Sequence, residues 1–291
     1  MSRRPVVHVL ANANLSVIRT PLSGYRSPVA LAEIVDEDGQ PRRCYLKPCP
    51  LGNRALLGEI IRWLWCHTMD VRAPEGAWVV LADPQRLQRH WPTHSWGSEL
   101  VPCWVTQELD APAPESRRLA LTPDRAAELL RWPAWWRMLA IDLFLENADA
   151  HIRNMILLDD DSWATIDGSE CFGGSDWTSA TLGKRPIIHK LAHQLRLYDH
   201  RFRPQETAIT NIQSALTGIS VTLYALKDPV LHWATGLTDT KEAAALYAHL
   251  AARTHLENTP WHQPINPSIG LPGKSTHSTP LAADAPGSSP R

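Results

Sequence analysis

Residues 133–147, "PAWWRMLAIDLFLEN", make a run that is apolar on nearly every side of a helix. A helix without a polar face has no place on a protein surface. At 15 residues it also falls short of the roughly 20 that a membrane span needs, and no stretch of the chain approaches that length. The run therefore predicts a buried helix around which the rest of the chain must be built. With 291 residues, 44% of them hydrophobic and 20% charged, the chain has an ordinary globular composition and enough length to bury a sizeable core. Trp63, Trp65, Trp132, Trp135 and Trp136 fall inside helical patterns and read as core packing rather than as a ligand cage.

The patterns on either side of this helix differ. Upstream, residues 5–19 and 28–47 read as strands, with a turn at Asp38-Gly39 and Lys47 at the end of the returning arm. Residues 54–69 carry apolar side chains at helical spacing. Residues 73–83 and 101–109 read as two more strands, separated by a polar loop with a short helical turn. Downstream, Thr122-Pro123-Asp124 starts a helix to residue 131. "NMILLDDDSWATID" reads as a hairpin, and helices are expected near 186–199, 204–233 with breaks, and 239–255. The expectation is an α+β, two-lobed fold: a small β-rich N-terminal lobe over 1–109 and a mainly helical lobe over 110–260. Residues 261–291, rich in Pro, Ser and Gly, are expected to be a disordered tail.

Polar residues are placed sparingly in this plan. The buried run ends in Asn147-Ala148-Asp149-Ala150-His151-Ile152-Arg153-Asn154, and Ile166-Asp167-Gly168 follows the hairpin. Asp and Asn commonly serve turns, but here they sit between two strongly apolar runs. Glu59 shares a helix face with Leu56 and Trp63, which turns it inward and calls for a buried cation. Taken singly, Lys47 is an ordinary strand-end lysine, Glu59 an i,i+3 partner for Arg62, and Asp167-Gly168 a turn. His151 is best read as a group that pins the loop backbone. In chain order, however, Lys47, Glu59, Asp149, Asn154 and Asp167 are the inventory that phosphoryl transfer from ATP needs. A lysine grips phosphates and a glutamate holds it; Asp149 orients the attacking hydroxyl and takes its proton; Asn154 and Asp167 bind Mg²⁺. Asp149 precedes Asn154 by five residues, the spacing of a kinase catalytic loop.

The remaining composition narrows the setting. A formal net charge of −1 supplies no global field for nucleic acid or an acidic membrane. Cys44, Cys49, Cys66, Cys103 and Cys171 form neither a CxxC pair nor a zinc spacing, and suit reduced thiols in a cytoplasmic protein. The charged start "MSRRPVVHVLANANLSVIRT" carries no continuous apolar run, so no signal peptide is expected.

"NADAHIRN" followed by "IDGSECF" resembles the catalytic signature of the HipA-like kinases, relatives of the phosphatidylinositol 3/4-kinase fold. "CYLKP", "GNRALLGEIIRWL" and "VRAPEG" are similar to that family's lysine strand, glutamate helix and following strand entry. "SGYRSPVALAEI" resembles its phosphate-covering loop, and "VTQEL" its inter-lobe hinge. The likeness spans about residues 12–260. It implies that Ser23 and Gly24 lie over the phosphates, that Glu108 and Leu109 flank the adenine, and that ATP and Mg²⁺ are the cofactors. It also implies a Ser/Thr hydroxyl on a protein as acceptor, translation-associated in the toxin members, and an antitoxin as a partner. Two positions depart from the pattern: Ala150 stands where Arg is usual, and Gly168 where His is common. The extra N-terminal subdomain of toxin members is also not expected in this chain. A nucleotide-binding pseudokinase and a lipid or small-molecule kinase of the same fold are the alternatives. Asp149 and Asp167 are both present, against the first. No persuasive basic amphipathic segment is present, against the second.

Overall fold

A strand of three residues, β1 (His8–Leu10), is separated from β2 (Leu15–Pro21) by a single 3-10 turn at Asn12–Asn14. The two strands nevertheless lie at opposite edges of one six-stranded sheet, in the order β1-β5-β6-β4-β3-β2. The other members are β3 (Ala30–Val35), β4 (Pro41–Pro48), β5 (Ala77–Ala82) and β6 (Val101–Gln107). Laid flat, six strands would hold their edges roughly 24 Å apart at about 4.8 Å spacing. The five residue steps from Leu10 to Leu15 reach at most about 18 Å. The sheet must therefore curl. Asn12 and Asn14 tie the closing turn down: Asn12 Oδ1 accepts from the Asp83 amide at 3.0 Å, and Asn14 Nδ2 donates to the Val35 carbonyl at 2.9 Å. The sequence pattern of residues 5–19 reads as one strand because both arms are apolar; the turn divides it. β1 pairs parallel with β5, and all other pairs are antiparallel.

The structure is a computed structural model that describes residues 5–23, 27–110, 121–158, 162–184, 189–198 and 206–254. Gly24 and the expected tail, 261–291, lie outside the described residues. Alternation along the strands splits the core in two. Leu15, Ile34, Cys44, Leu46, Trp78, Val80, Cys103 and Val105 point into the curl. Leu87 of α2 (Pro84–His90), Trp91 and Trp96 belong to the same cluster. Ala77, Val79 and Trp104 point the other way, into a larger core that α1 (Ala55–Thr68) shares. Residues 55–66 of α1 are all buried, among them Glu59 and Arg62.

The apolar run 133–147 forms α4 (Trp135–Phe144), buried at Trp135 and from Met138 to Phe144. It packs against α1, against α3 (Pro123–Arg131) and along α6 (Glu206–Ala225). The hairpin β7 (Met155–Leu157) and β8 (Trp163–Thr165) follows. Then come α5 (Lys190–Tyr198), α7 (Lys227–Leu237) after α6, and α8 (Thr240–Arg253). α8 closes over the C-terminal end of α4. Arg253 donates to the Leu143 and Phe144 carbonyls at 2.8 and 2.9 Å and pairs with Glu146, which also meets His249. Those carbonyls are among the groups that a helix end leaves without intrahelical partners. The fold is thus mixed α+β, and among the described residues no helix is long and apolar enough to cross a membrane.

Candidate active site

Lys47 sits where strand alternation puts it. Cys44 and Leu46 of β4 face the curled core, so Tyr45 and Lys47 face the opposite side, towards α1. There the Lys47 ammonium lies 2.8 Å from Glu59 Oε1 and 3.2 Å from Asp167 Oδ1. Glu59 is only 4% exposed, and its second oxygen accepts the Gly168 amide at 2.7 Å. A buried carboxylate of this kind is tolerable only with such partners. Burial works against the charge on Lys47, but Glu59 and Asp167 outweigh it and hold the ammonium protonated well above the ordinary lysine range.

Asp167 is delivered by the Ile166-Asp167-Gly168 turn after β8. Its φ of 67° lies in the left-handed region, uncommon for a residue with a side chain though better tolerated by Asp than by most. Strained backbone of this sort concentrates at functional sites. Burial alone would raise the Asp167 carboxyl, yet Lys47 and Ser169 hold it well below the usual carboxylate range. Ser169 contributes both its amide, at 3.0 Å, and its hydroxyl, at 2.7 Å, to Oδ1.

The turn is pressed against α1. A Cβ built on Gly58 would stand 2.3 Å from the Gly168 carbonyl oxygen, and one on Gly168 would stand 2.7 Å from the Gly58 oxygen. Two facing glycines let the backbones touch. One turn further along α1, Arg62 grips the same segment. It donates to Thr165 Oγ1 at 2.7 Å and to the Ile166 carbonyl at 3.4 Å, and forms a two-point pair with Asp142 of α4 at 2.7 and 3.3 Å. Glu59 and Arg62 are thus divided between two partners, and do not bond each other. Burial would raise Asp142; Arg62 and His189 overcome it and hold the carboxyl well below its usual range.

The Asn147–Asn154 loop is fixed by its own polar groups. Asn147 Nδ2 donates to Asp142 Oδ1 at 3.0 Å, while its Oδ1 accepts the Asp149 amide at 3.2 Å. Asn154 Nδ2 donates to the Asp149 carbonyl at 2.9 Å, and the Ala148 amide reaches the Glu170 carbonyl at 3.0 Å. The Asp149 carboxylate meets His151 Nε2 at 3.4 Å through one oxygen and Lys190 Nζ at 2.5 Å through the other. His151 first, and Lys190 with it, draw the Asp149 carboxyl down to about 2 against partial burial. His151 therefore touches the carboxylate itself as well as shaping the loop.

A cleft of about 1050 Å³, counting the part open to solvent, joins these elements. Lys47, Glu59, Asp167 and Leu109 line it, with Val29, Trp63, Trp104, Ile156 and Ile166 as apolar walls. Glu108 turns away: its carboxylate pairs with Arg43 at 3.0 Å and accepts from Tyr45 at 3.5 Å, beside a neighbouring groove. Ser23 is exposed at the start of the loop whose Gly24 falls outside the described residues. Asp149 and Asn154 belong to the Asn147–Asn154 loop and do not line the cleft wall. All five cysteines are free and buried, and burial pushes the Cys44 and Cys49 thiols up to about 12, so neither is a nucleophile.

For a divalent cation, the donors are hard oxygens. Among the described residues, Asp167 Oδ2 takes no hydrogen bond, and the Asn154 amide nitrogen is committed to Asp149, leaving the Asn154 oxygen available. One or two protein oxygens completed by phosphate and water suit Mg²⁺. No cluster of three or more His, Cys, Asp or Glu side chains arranged to hold a metal occurs among the described residues, so any metal held here would need such outside ligands.

Sequence reasoning missed Arg62–Asp142 and Lys190. A single carboxylate on an otherwise apolar helix was the available sign of the first. Lys190 carries no sign in the sequence, because it arrives from a helix 41 residues beyond Asp149. The chain matches no protein-family model, and a search of the curated proteins finds no match to it.

Proposed function

We propose that the chain is a two-lobed, HipA-like kinase that transfers the γ-phosphate of ATP, with Mg²⁺, to a Ser or Thr hydroxyl of a protein in the cytoplasm. The curled sheet with α1 is the nucleotide lobe, residues 1–109, and the helices around α4 are the catalytic lobe, residues 110–260. One observation carries this reading: Lys47 stands between Glu59 and Asp167 at the wall of an apolar cleft. A lysine held by a helix glutamate and facing a metal-binding Asp is the arrangement that positions ATP phosphates. Leu109, Val29 and Ile156 give the adenine an apolar slot, and Lys47 binds phosphate oxygens. Asp167 and Asn154 would hold Mg²⁺, which neutralises charge on the phosphates. Asp149 orients the acceptor hydroxyl and takes its proton. His151 and Lys190 keep it ionised at neutral pH, so it can receive the hydrogen bond of the acceptor hydroxyl.

A second reading, a nucleotide-binding interaction module without transfer, is favoured by one fact: both Asp149 oxygens already have partners, His151 and Lys190. Incubating the purified protein with γ-labelled ATP, Mg²⁺ and a cell lysate separates the two. Label in protein, abolished by EDTA, is the expected result. Mg-ATP binding with no transfer would favour the module, and no Mg-ATP binding would overturn both.

A further inference from the structure

Lys190 lies outside every motif of the chain, yet its ammonium rests on the carboxylate proposed to accept the proton. The contact is not an accident of a long side chain on a loose element. The next residue, Leu191, is buried and donates its amide to the Ala150 carbonyl at 2.8 Å, fastening the start of α5 to the catalytic loop. The preceding residue, His189, is 1% exposed, stands 3.4 Å from Asp142 Oδ2, and accepts the Ala192 amide at 3.1 Å. Lys190 thus projects from a fixed point between two anchored neighbours.

Stability does not account for the pair. The side chains of Lys190 and Asp149 are 51% and 36% exposed, and a solvent-screened ion pair in that setting contributes little to stability. Chemistry gives it a purpose. Lys190 takes one of the lone-pair sites of Asp149 Oδ1, so an acceptor hydroxyl arriving at that oxygen competes with the ammonium and loosens its hold. The nearest new anion would then be the phosphoryl group in transit. Ala150, beside Asp149, carries no charge, and Arg153 of the same loop lines the cleft, so Lys190 adds a second cation from another element.

We propose that Lys190 is a phosphate-contacting catalytic residue: it holds Asp149 in the resting site and shifts onto the transferring phosphoryl group. This rests on the kinase reading above. In the step, the acceptor oxygen forms a bond to the γ-phosphorus as its proton passes to Asp149. The bond from the γ-phosphorus to the bridging oxygen breaks, and its electron pair leaves with ADP. Lys190 neither gains nor loses a proton; it offsets charge on the equatorial oxygens, where such stabilisation is most effective.

The test compares the full chain with Lys190→Met and Lys190→Arg, using γ-labelled Mg-ATP and myelin basic protein as a generic acceptor, and scoring label in that acceptor and in the chain itself. Mg-ATP affinity and melting temperature are read in parallel. Lys190→Met is expected to lose about 10²–10³ in transfer rate, the loss seen when one charge-stabilising donor is removed. Its Mg-ATP affinity should stay within about threefold, since the contact is made in the transition state, and its melting temperature should be unchanged. Lys190→Arg should recover part of the rate. A Lys190→Met rate equal to or above that of the wild type overturns the inference while leaving the kinase reading standing. A fall in rate that tracks a fall in melting temperature, with no gain from Lys190→Arg, also overturns it. Absence of transfer by the wild-type chain overturns both.

Discussion

Gly58 and Gly168 meet backbone to backbone, and this contact gives the Asp-Gly turn its place. Gly168 is one of the two positions where the chain departs from the motif it resembles. No side chain fits there, because α1 lies within contact distance of the turn. Nothing in the sequence links residues 58 and 168, so their pairing could not be read from it; each glycine alone looks like a tolerated helix residue and a turn residue. The substitution Gly58→Ala distinguishes the contact from the ordinary case. In an open helix it would stabilise by about 0.5–1 kcal/mol. Here the added methyl would overlap a carbonyl oxygen, and a cost of about 1–3 kcal/mol is expected instead. A thermal melt should show a lower midpoint, with weakened Mg-ATP binding because Glu59 is the next residue. A raised midpoint would mean that the helix and the turn are free to separate.

At the scale of elements, Arg62 and Asp142 fasten α1, α4 and β8 together, and the candidate site depends on all three. The strands, the hairpin and the helices were legible because each carries its own period: alternation in β4 set Lys47 opposite Leu46, and helical spacing turned Glu59 inward. The cross-links between elements were not legible, since Arg62 and Asp142 are 80 residues apart and bond through tertiary packing. Removing one member of a buried pair leaves the other without compensation, so Arg62→Met is expected to cost about 3–5 kcal/mol in urea unfolding. Adding Asp142→Leu to it should recover part of that loss; no recovery would mean that the ion pair is not the source. The same carboxylates give a pH dependence. Asp142 and Asp167 have folded values below their unfolded ones. Their contribution is therefore complete above the unfolded carboxylate range, near about 3.9, and is lost as pH falls through the folded values. The urea midpoint should hold between pH 7 and pH 5 and drop below about pH 4. A midpoint that declined on approach from the alkaline side instead would contradict the assignment.

Across the whole molecule, the curled sheet encloses one core, and a larger one on its other face takes in α1 and α4 and extends to Leu250 of α8. The change from strand pattern to helix pattern near residues 105–122 anticipated the mixed fold, while the placing of β1 and β2 at opposite edges needed the turn that divides them. From composition alone, residues 261–291 are expected to offer too little apolar surface to offset an ordering cost of about 1–2 kcal/mol per residue. Deleting them is expected to leave the melting temperature unchanged, and a large fall would show that they dock on the core. Under the proposed function, one polar loop and one turn, held by buried struts, bind Mg-ATP and transfer its phosphate. The most direct test is to titrate Mg-ATP into the wild type, Asp149→Ala and Asp167→Ala while measuring phosphotransfer on the same samples. Asp167→Ala should lose both nucleotide affinity and turnover, because it removes a proposed metal ligand. Asp149→Ala should bind Mg-ATP within a few-fold of wild type and lose turnover by about 10²–10⁴, the contribution of a positioned acid/base group. A wild-type chain that does not bind Mg-ATP, or two variants that transfer phosphate as it does, would contradict the claim.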